Sequence, residues 1–483
     1  MSKKLSHNYA WIVASEIVSY IIPLIRAPYL SRTLGVAPLG DYQFTMGIVS
    51  YFIMFANLGT VNYAKREIAF RQNDIRERSK LFLEIFLFRL GSTFLSLIAY
   101  AIFLIFFSGE LHSLYLIQLL AFAAVVFDIT WLFHGVEEFR SVVIRNTIIK
   151  LVGTAAIFLF VKSPDDLWIY VLALSLITLL CSLSLWPSLK NYIVWTGFKD
   201  LHISRHFKGV AILFASTIAV QLYTVLDQTM LGVMTDNTQV GYYGQALKII
   251  NMVLMVLSSL TVVLLPRVAV LYKEKNETEL RQCLSSVFNY FFFLAIPLTI
   301  GCFIVSPDFV PVFFGDGYEP VIVLLRILSF LFCILGMGQI FGTLLTAIDK
   351  QVESTIAVSI GAVINITLNC IMIHSLQSVG VCIASVAAEA IVTTIELRYI
   401  NKHLDCVNYI TNSFIHYIIP SVIMGCAVFA VHKAMNPGII KLILEILAGM
   451  ITYIGILYTE KDPMLIGAIG SISNKISGLK KKQ

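Results

Sequence analysis

Charge is what this sequence has least of. Of its 483 residues only 13% are Asp, Glu, Lys or Arg, where a soluble domain carries roughly a quarter. A soluble fold needs that charge to cover its surface. The shortage runs along the whole chain, which excludes a soluble protein and also a soluble domain on a single anchor. Paired cysteines are missing too. The eight cysteines, at 181, 283, 302, 333, 370, 382, 406 and 426, form no CxxC and mostly lie in apolar runs. They read as small buried hydrophobes, not as a disulfide or metal framework. The histidines, His134 among them, show no ligand spacing, so no metal is expected. There is no HExxH, no P-loop, no nucleophile elbow and no dinucleotide fingerprint. No polar stretch is large enough to hydrolyse ATP, and the expected task is movement, not catalysis. A cleavable leader is not evident, because the first apolar run, from Tyr9, lacks an A-x-A site with a mature soluble domain after it.

What the sequence has is apolar length. Hydrophobic residues make up 58% of it and the mean hydropathy is +0.83. A helical span takes ~20 mostly apolar residues. Fourteen such segments can be marked: 8–33, 40–62, 80–107, 113–135, 144–161, 167–188, 209–233, 240–265, 285–306, 320–346, 354–375, 379–398, 413–433 and 438–458. Strands of a β-barrel would be shorter and would alternate in polarity, so the expectation is an all-α integral membrane protein.

The net charge of +6 sits in short loops, which argues for membrane orientation and against nucleic acid. With the N-terminal Lys3 and Lys4 inside, alternate loops collect the basic residues. Lys65, Arg66, Arg71, Arg76, Arg78 and Lys80 share the first of them, and Lys475, Lys480, Lys481 and Lys482 fall in the tail. The opposite loops carry Glu110, Asp165, Asp166, Asp236, Asp308, Asp316 and Glu319, with Lys162 the exception. This pattern predicts an even span number with both termini cytoplasmic.

A weak repeat divides the chain. Leu34-Gly35 is echoed by Leu231-Gly232, and Gly40-Asp41-Tyr42 by Gly241-Tyr242-Tyr243, with Arg66 and Arg267 equally far past those glycines. Six spans separate the copies, so they would be parallel repeats about an axis along the membrane normal. The predicted organisation is a six-helix lobe over 1–208, a second over 209–408, and two added helices with a basic tail over 409–483.

Charges within a span cost ~2.5–3.5 kcal/mol each on the insertion scale, so they face a cavity or a partner. The candidates are Glu16, Arg26, Arg89, Asp128, Asp227, Lys248, Glu389 and Glu396, with Arg32 and Arg326 nearer the span ends. Arg26 stands out because Pro23 and Pro28 flank it. Two prolines loosen the helix ladder, and an arginine there can offer its planar fork of donors to a phosphate. The plainer alternative is an ion pair with Glu16 or Asp41, or snorkelling toward the surface. Lys248 is either a second phosphate contact or a partner for Asp227. Asp128 either binds a coupling cation or bonds a neighbouring helix. Arg89 is treated as cavity-lining.

Several segments resemble a known family. Pro23 to Gly35 resembles the first-span motif of polysaccharide-repeat-unit flippases, and Leu58-Gly59 with Lys65-Arg66-Glu67-Ile68-Ala69 their first cytoplasmic loop. Leu226 to Gly232, Val240-Gly241-Tyr242-Tyr243 with Lys248-Ile249-Ile250, and Leu265-Pro266-Arg267 resemble their second half. Phe314 to Tyr318 followed by Leu324-Leu325-Arg326-Ile327-Leu328 resembles their outer loop and tenth span. The family is the Wzx-like branch of the multidrug/oligosaccharidyl-lipid/polysaccharide exporter superfamily.

The resemblance implies two six-helix lobes around a central cavity, with fourteen helices in all, and alternating access. The implied substrate is an undecaprenyl-pyrophosphate-linked oligosaccharide. It would move to the outer leaflet of a bacterial cell membrane for capsule, exopolysaccharide or O-antigen synthesis. Arg26, Lys248 and Arg32 would then contact pyrophosphate, with Arg89 and Arg326 as further cavity cations. Asp227, Asp128 and Glu16 are left as coupling or structural acids. No cofactor is expected beyond coupling to the membrane potential, H+ or Na+. The chain is expected to be a monomer that meets membrane lipids and the polymerase and glycosyltransferases of its pathway. The competing readings are a drug/cation antiporter of the same superfamily, a lipid II or teichoic precursor flippase, and a membrane polymerase or glycosyltransferase.

Overall fold

A computed structural model describes residues 3–197, 201–467 and 470. The described residues are helical throughout, with short turns between. In order the helices are α1 (Lys3–Thr33), α2 (Val36–Asn57), α3 (Thr60–Phe70), α4 (Ile75–Phe107), α5 (His112–Phe127), α6 (Thr130–Gly135), α7 (Phe139–Phe160) and α8 (Leu167–Leu183). Then come α9 (Phe207–Met234), α10 (Asn237–Lys273), α11 (Glu277–Phe314), α12 (Glu319–Leu328), α13 (Leu331–Ala347), α14 (Gln351–Leu404), α15 (Val407–Ala434) and α16 (Ile439–Thr459).

These helices are built inside out relative to a soluble bundle. On α4 the side chains of Arg89, Ser92, Thr93 and Ser96 are buried, while Phe94, Leu95, Ile102, Ile105 and Phe106 are exposed. Polar groups go inward, where Arg89, Ser92 and Ser96 find hydrogen-bond partners, and large apolar ones go outward. Only a solvent that takes the place of an apolar core makes that arrangement favourable. This is a multi-pass membrane protein.

Twelve helical stretches among the described residues are long and apolar enough to cross a bilayer. One of them, α14, has 54 residues, which at 1.5 Å per residue is ~80 Å and far more than the ~30 Å apolar core. It is broken at Gln377, where φ is 51° and ψ is −129°, so it supplies two spans. The apolar α9, of 28 residues, supplies another. Each of the fourteen marked segments falls on a helix, and α9, over 209–233, is not among the twelve.

Breaks between spans have local causes. Gly35 sits at φ 81° between α1 and α2, a left-handed turn that side chains resist. Asp74 begins α4 by accepting hydrogen bonds from the backbone N–H of Arg76 at 2.9 Å and Glu77 at 3.1 Å, the N-cap arrangement.

The chain divides into two compact units, Met1–Gly241 and Tyr242–Gln483. The boundary falls inside α10, so α9, read from the sequence as the start of a second lobe, packs with the first unit. In that unit α2 is central and packs on α4, α5 and α9, while α1 lies on α7. In the second unit α11 is central and packs on α12, α13, α15 and α16.

The contact that draws α10's first turn into unit one is unusually close. A Cβ on Gly40 would lie 1.8 Å from the carbonyl oxygen of Asn237, and one on Gly241 would lie 2.4 Å from that of Val36. Each glycine meets the carbonyl one helical turn before the other. That reciprocity is what a two-fold relation between the two segments requires, and these are the two glycines aligned by the repeat. The side chain of Asn237 adds a hydrogen bond to Asp41 Oδ1 at 2.7 Å.

Candidate functional site: Arg26 and Lys150 in the first unit

The sequence singled out arginines within spans, and the structure gives them different fates. Arg89 of α4 is fully enclosed. Its Nη1 donates to the backbone carbonyl of Asp128 at 2.8 Å, and its Nη2 donates to Asn57 Oδ1 at 2.7 Å and to Asp128 Oδ2 at 3.3 Å. Asp128 lies in the break between α5 and α6, where its Oδ1 also accepts from the Thr130 amide at 3.0 Å. Arg89 thus fills the freed backbone and charge of a helix interruption, and Asp128 is bonded to the neighbouring helix α4.

Arg326 of α12 has a similar task in the second unit. Pro307 has no N–H, so the carbonyl one turn earlier, that of Phe303, loses its helical partner. Arg326 Nε donates to it at 3.2 Å, and the guanidinium lies 5.4 Å from the centre of the Phe303 ring. Pro297 of α11 frees the carbonyl of Phe293 in the same way, and the Tyr453 hydroxyl fills that place at 2.8 Å.

Arg26 differs. It is 9% exposed, and its Nε is buried with no hydrogen-bond partner. Among the described residues it makes no ion pair, and Asp41 is engaged by Asn237. What surrounds Arg26 electrostatically is Tyr42, Tyr170 and a second cation, Lys150 of α7. Tyr42 and Tyr170 meet edge to face at 5.1 Å. Lys150 donates to Ser19 Oγ on α1 at 3.0 Å and likewise has no ion pair among the described residues.

Two prolines shape this stretch. Pro23 and Pro28 free the carbonyls of Ser19 and Leu24, and α1 nevertheless runs unbroken through both. Its far end is pinned to α7 by the Tyr29 hydroxyl, which donates to the Val161 carbonyl at 2.6 Å.

Beside these groups the first unit holds a cavity of about 440 Å³. Tyr42, Asn57, Arg89, Gln118, Asp128, Thr178 and Cys181 are among its walls. Its two wall charges, Arg89 and Asp128, neutralise each other. The cations beside it, Arg26 and Lys150, have no ion pair among the described residues. Leaving a charge out of water with no partner costs several kcal/mol, and an anion beside Arg26 would supply the charge it lacks among the described residues.

The other expected residues lie elsewhere. Arg32 is exposed and donates to the Pro28 carbonyl at 3.2 Å. Asp227 is buried in the first unit, within electrostatic reach of Tyr51. Lys248 belongs to the second unit, half-buried, and donates to Gln245 Oε1 at 3.1 Å. The side chain of Glu16 lies outside the described residues. Lys150 was missed, although the rule that picked out Arg26, a charge deep in an apolar run, applies to it equally. Asp308, expected in a loop, is instead buried within α11.

The last turns before α9 carry a second buried network in the first unit. Glu84 Oε2 accepts from His206 Nε2 at 2.7 Å and from Arg205 Nε at 2.9 Å, and the Tyr63 hydroxyl lies 2.8 Å from His206 Nδ1. Burial pushes the His206 imidazole below its ordinary range, and the hydrogen bond to Glu84 opposes this without overcoming it. The neutral ring donates from Nε2 and accepts from Tyr63. This polar cluster ties α3 and α4 to the entry of α9.

Fold, polar interior and lipid-facing surface together define a multi-pass helical transporter. Residues 5–272, more than half the chain, match the family described as polysaccharide biosynthesis protein, and 213–371 match MatE. The chain belongs to the polysaccharide biosynthesis protein family, within the multidrug/oligosaccharidyl-lipid/polysaccharide exporter superfamily.

Among its relatives is a putative O-antigen transporter of Escherichia coli strain K12, 24% identical over 83% of this chain and 98% of that protein. Another is a probable low-salt glycan biosynthesis flippase, Agl15, of Haloferax volcanii, 22% identical over 64% of this chain and 65% of that protein. The fold is shared with the inward-closed lipid II flippase MurJ, at a TM-score of 0.72 and 17% identity over 94% of this chain and 99% of that one. It is shared more distantly with the MATE multidrug transporter DinF-BH, at 0.56 and 16% over 86% and 97%.

Proposed function

We propose that this protein is a flippase for lipid-linked oligosaccharides. Its substrate would be an undecaprenyl-pyrophosphate-linked repeat unit, moved from the cytoplasmic to the outer leaflet of a bacterial cell membrane by alternating access, with both termini cytoplasmic. The observation that carries the reading is the Arg26–Lys150 pair, two cations at membrane depth that make no ion pair among the described residues. A pyrophosphate supplies the missing charge, and the flat guanidinium offers it paired hydrogen bonds that an ammonium does not. The names of the relatives support the same class of cargo. The outer-loop acids and inner-loop bases support the orientation.

Energetics favour the direction. An interior-negative potential is worth about 2.3 kcal/mol per charge per 100 mV, so a doubly charged head group gains about twice that on moving outward. H+ or Na+ antiport can add to it. A drug/cation antiporter would need uncompensated acid in the cavity wall; here the wall charges cancel and the excess beside them is positive.

The test is translocation of labelled lipid-linked oligosaccharide in proteoliposomes, parent beside Arg26→Ala and Lys150→Met. Transport by the parent and a loss of tenfold or more in each variant is expected. Full transport by both variants would remove the cation pair from the mechanism. Failure of the parent on every undecaprenyl-pyrophosphate sugar, with transport of lipid II or a teichoic precursor, would reassign the cargo.

A further inference from the structure

The two helices that follow the repeat carry a polar cluster that the substrate reading does not use. Asp308 of α11, His432 of α15, and Lys441 and Glu445 of α16 meet about one to two turns from the loop joining α15 to α16. Asp308 Oδ2 lies 2.6 Å from His432 Nδ1 and 3.0 Å from Lys441 Nζ, and His432 Nδ1 lies 2.9 Å from Glu445 Oε1. Asp308, Lys441 and Glu445 are each at most 4% exposed. Glu445 Oε2 is buried without a hydrogen-bond partner.

Charge counting shows what is missing. Two carboxylates against one ammonium leave −1 in a lipid-facing bundle. One ring nitrogen meets oxygens from both acids, and a single N–H can donate well to only one of them. Nearby charges do not complete the balance. Arg326 of α12 is committed to the Phe303 carbonyl, Glu319 of α12 accepts from the Gly317 amide at 3.2 Å, and Lys433 lies over the Phe429 ring at 5.7 Å. The sequence of α13 contains no charged residue.

We propose that Asp308, His432, Glu445 and Lys441 form a binding site for one exchangeable proton, and that its occupancy sets how α15 and α16 pack on α11. One added proton, shared among the two carboxyls and the imidazole, makes the cluster neutral. A divalent ion would leave it at +1, and Lys441 already contacts the Asp308 oxygen such an ion would need. The 2.9 Å His432–Glu445 contact is a hydrogen bond, and Asp308 Oδ2 is buried without one, so an added proton has an acceptor to bridge. Glu445 connects the site to a larger feature. It is among the walls of an apolar cavity of about 550 Å³ that also includes Val253, Leu294, Phe309, Val428 and Tyr453. A change of charge at Glu445 therefore changes the polarity of that wall. Arg26 and Lys150 take no part in this site.

The test uses the purified full chain in detergent, without substrate. The folded state keeps a proton that the unfolded chain gives up above the ordinary imidazole value of about 6.5. The parent should therefore lose about tenfold in its folded-to-unfolded ratio per pH unit above that point, until the site empties. Glu445→Gln and Asp308→Asn each leave a neutral cluster that needs no proton, so both should lack this decline, and the parent-minus-variant difference should carry it. Profiles parallel to the parent in both variants would overturn the proposal. So would a zinc- or manganese-induced stabilisation of the parent that Glu445→Gln abolishes, since that marks a metal site. If both variants fail to fold, infrared difference spectra of the parent decide. A protonated-carboxyl or imidazolium band lost on raising pH above neutrality upholds the site, and a featureless difference refutes it.

Discussion

Replacing Gly40 by alanine tests the closest backbone approach described in the first unit. The added Cβ would stand 1.8 Å from the Asn237 carbonyl oxygen and 3.0 Å from the Gly241 nitrogen. Ordinary carbon–oxygen contact is about 3.4 Å, so α2 and the start of α10 must separate by about 1.5 Å. The obstructing atoms are backbone and cannot turn aside as a side chain would. Overpacking costs 1–3 kcal/mol where neighbours relax; here about 3 kcal/mol or more is expected, and the 2.7 Å Asn237–Asp41 hydrogen bond is strained with it.

A control sits on α4. A Cβ on Gly91 meets nothing within 4 Å, so Gly91→Ala should gain about 0.5–1 kcal/mol from helix propensity alone. The assay is the apparent unfolding midpoint in detergent, by tryptophan fluorescence and by recovery of monodisperse protein after heating. Gly40→Ala should fall well below the parent, with Gly91→Ala at or above it. A Gly40→Ala midpoint equal to the parent would refute the close contact, and with it the reciprocal pairing of the repeat glycines.

Three further outcomes follow from contacts already described. Asp128→Asn should cost about 2–3 kcal/mol, less than a fully enclosed pair because Asp128 is 22% exposed; a double-mutant cycle with Arg89→Met should show a coupling of about 1 kcal/mol or more in thermal stability. His206, held below its ordinary range by burial, binds fewer protons folded than unfolded, so stability should be fully present above about pH 6.5 and decline as pH falls below it; His206→Gln should flatten that decline, and an unchanged acid limb would contradict the neutral assignment. Tyr453→Phe strips the donor from the carbonyl freed by Pro297 and should cost about 1 kcal/mol, whereas Tyr458→Phe, on the exposed face of the same helix, should be silent in the same melting assay.

The span count could be read from the sequence because it depends on composition along one dimension. Lipid demands apolar length, and that demand is written into each segment. The break at Gln377 was legible for the same reason, since a continuous run past that point outgrows the bilayer. The unit boundary was not legible. It depends on where α10's first turn packs, which is decided by a contact between Gly40 and Gly241 far apart in the chain. The intramembrane cations were half legible. Intramembrane charge pointed to Arg26, Arg89 and Arg326 alike, but their partners, a carbonyl freed by Pro307 or a loop aspartate at 128, come from other helices. Lys441 escaped because it lies near the start of an apolar segment, where charge is unremarkable, and Glu445, two turns into the same helix, stands out only once Asp308 and His432 close around it.

That sorting explains why proline matters more than charge in locating the proposed anion site. Pro297 and Pro307 each strip a donor from α11, and Tyr453 and Arg326 replace it. There the polar side chain is spent on the backbone and has nothing left for a ligand. Pro23 and Pro28 strip α1 in the same way, yet Arg26 keeps a buried Nε without a partner, and Lys150 reaches the Ser19 hydroxyl on the same helix. If Arg26 were only a repair for the proline-loosened ladder, its donors would point at the freed carbonyls of α1, as Arg326 points at Phe303. They do not, and no described residue forms an ion pair with Arg26, so its retention within an apolar span calls for a negative charge supplied from elsewhere. An anion that arrives, is held between α1 and α7, and leaves supplies that charge without a permanent partner, and a transporter's cation needs that property.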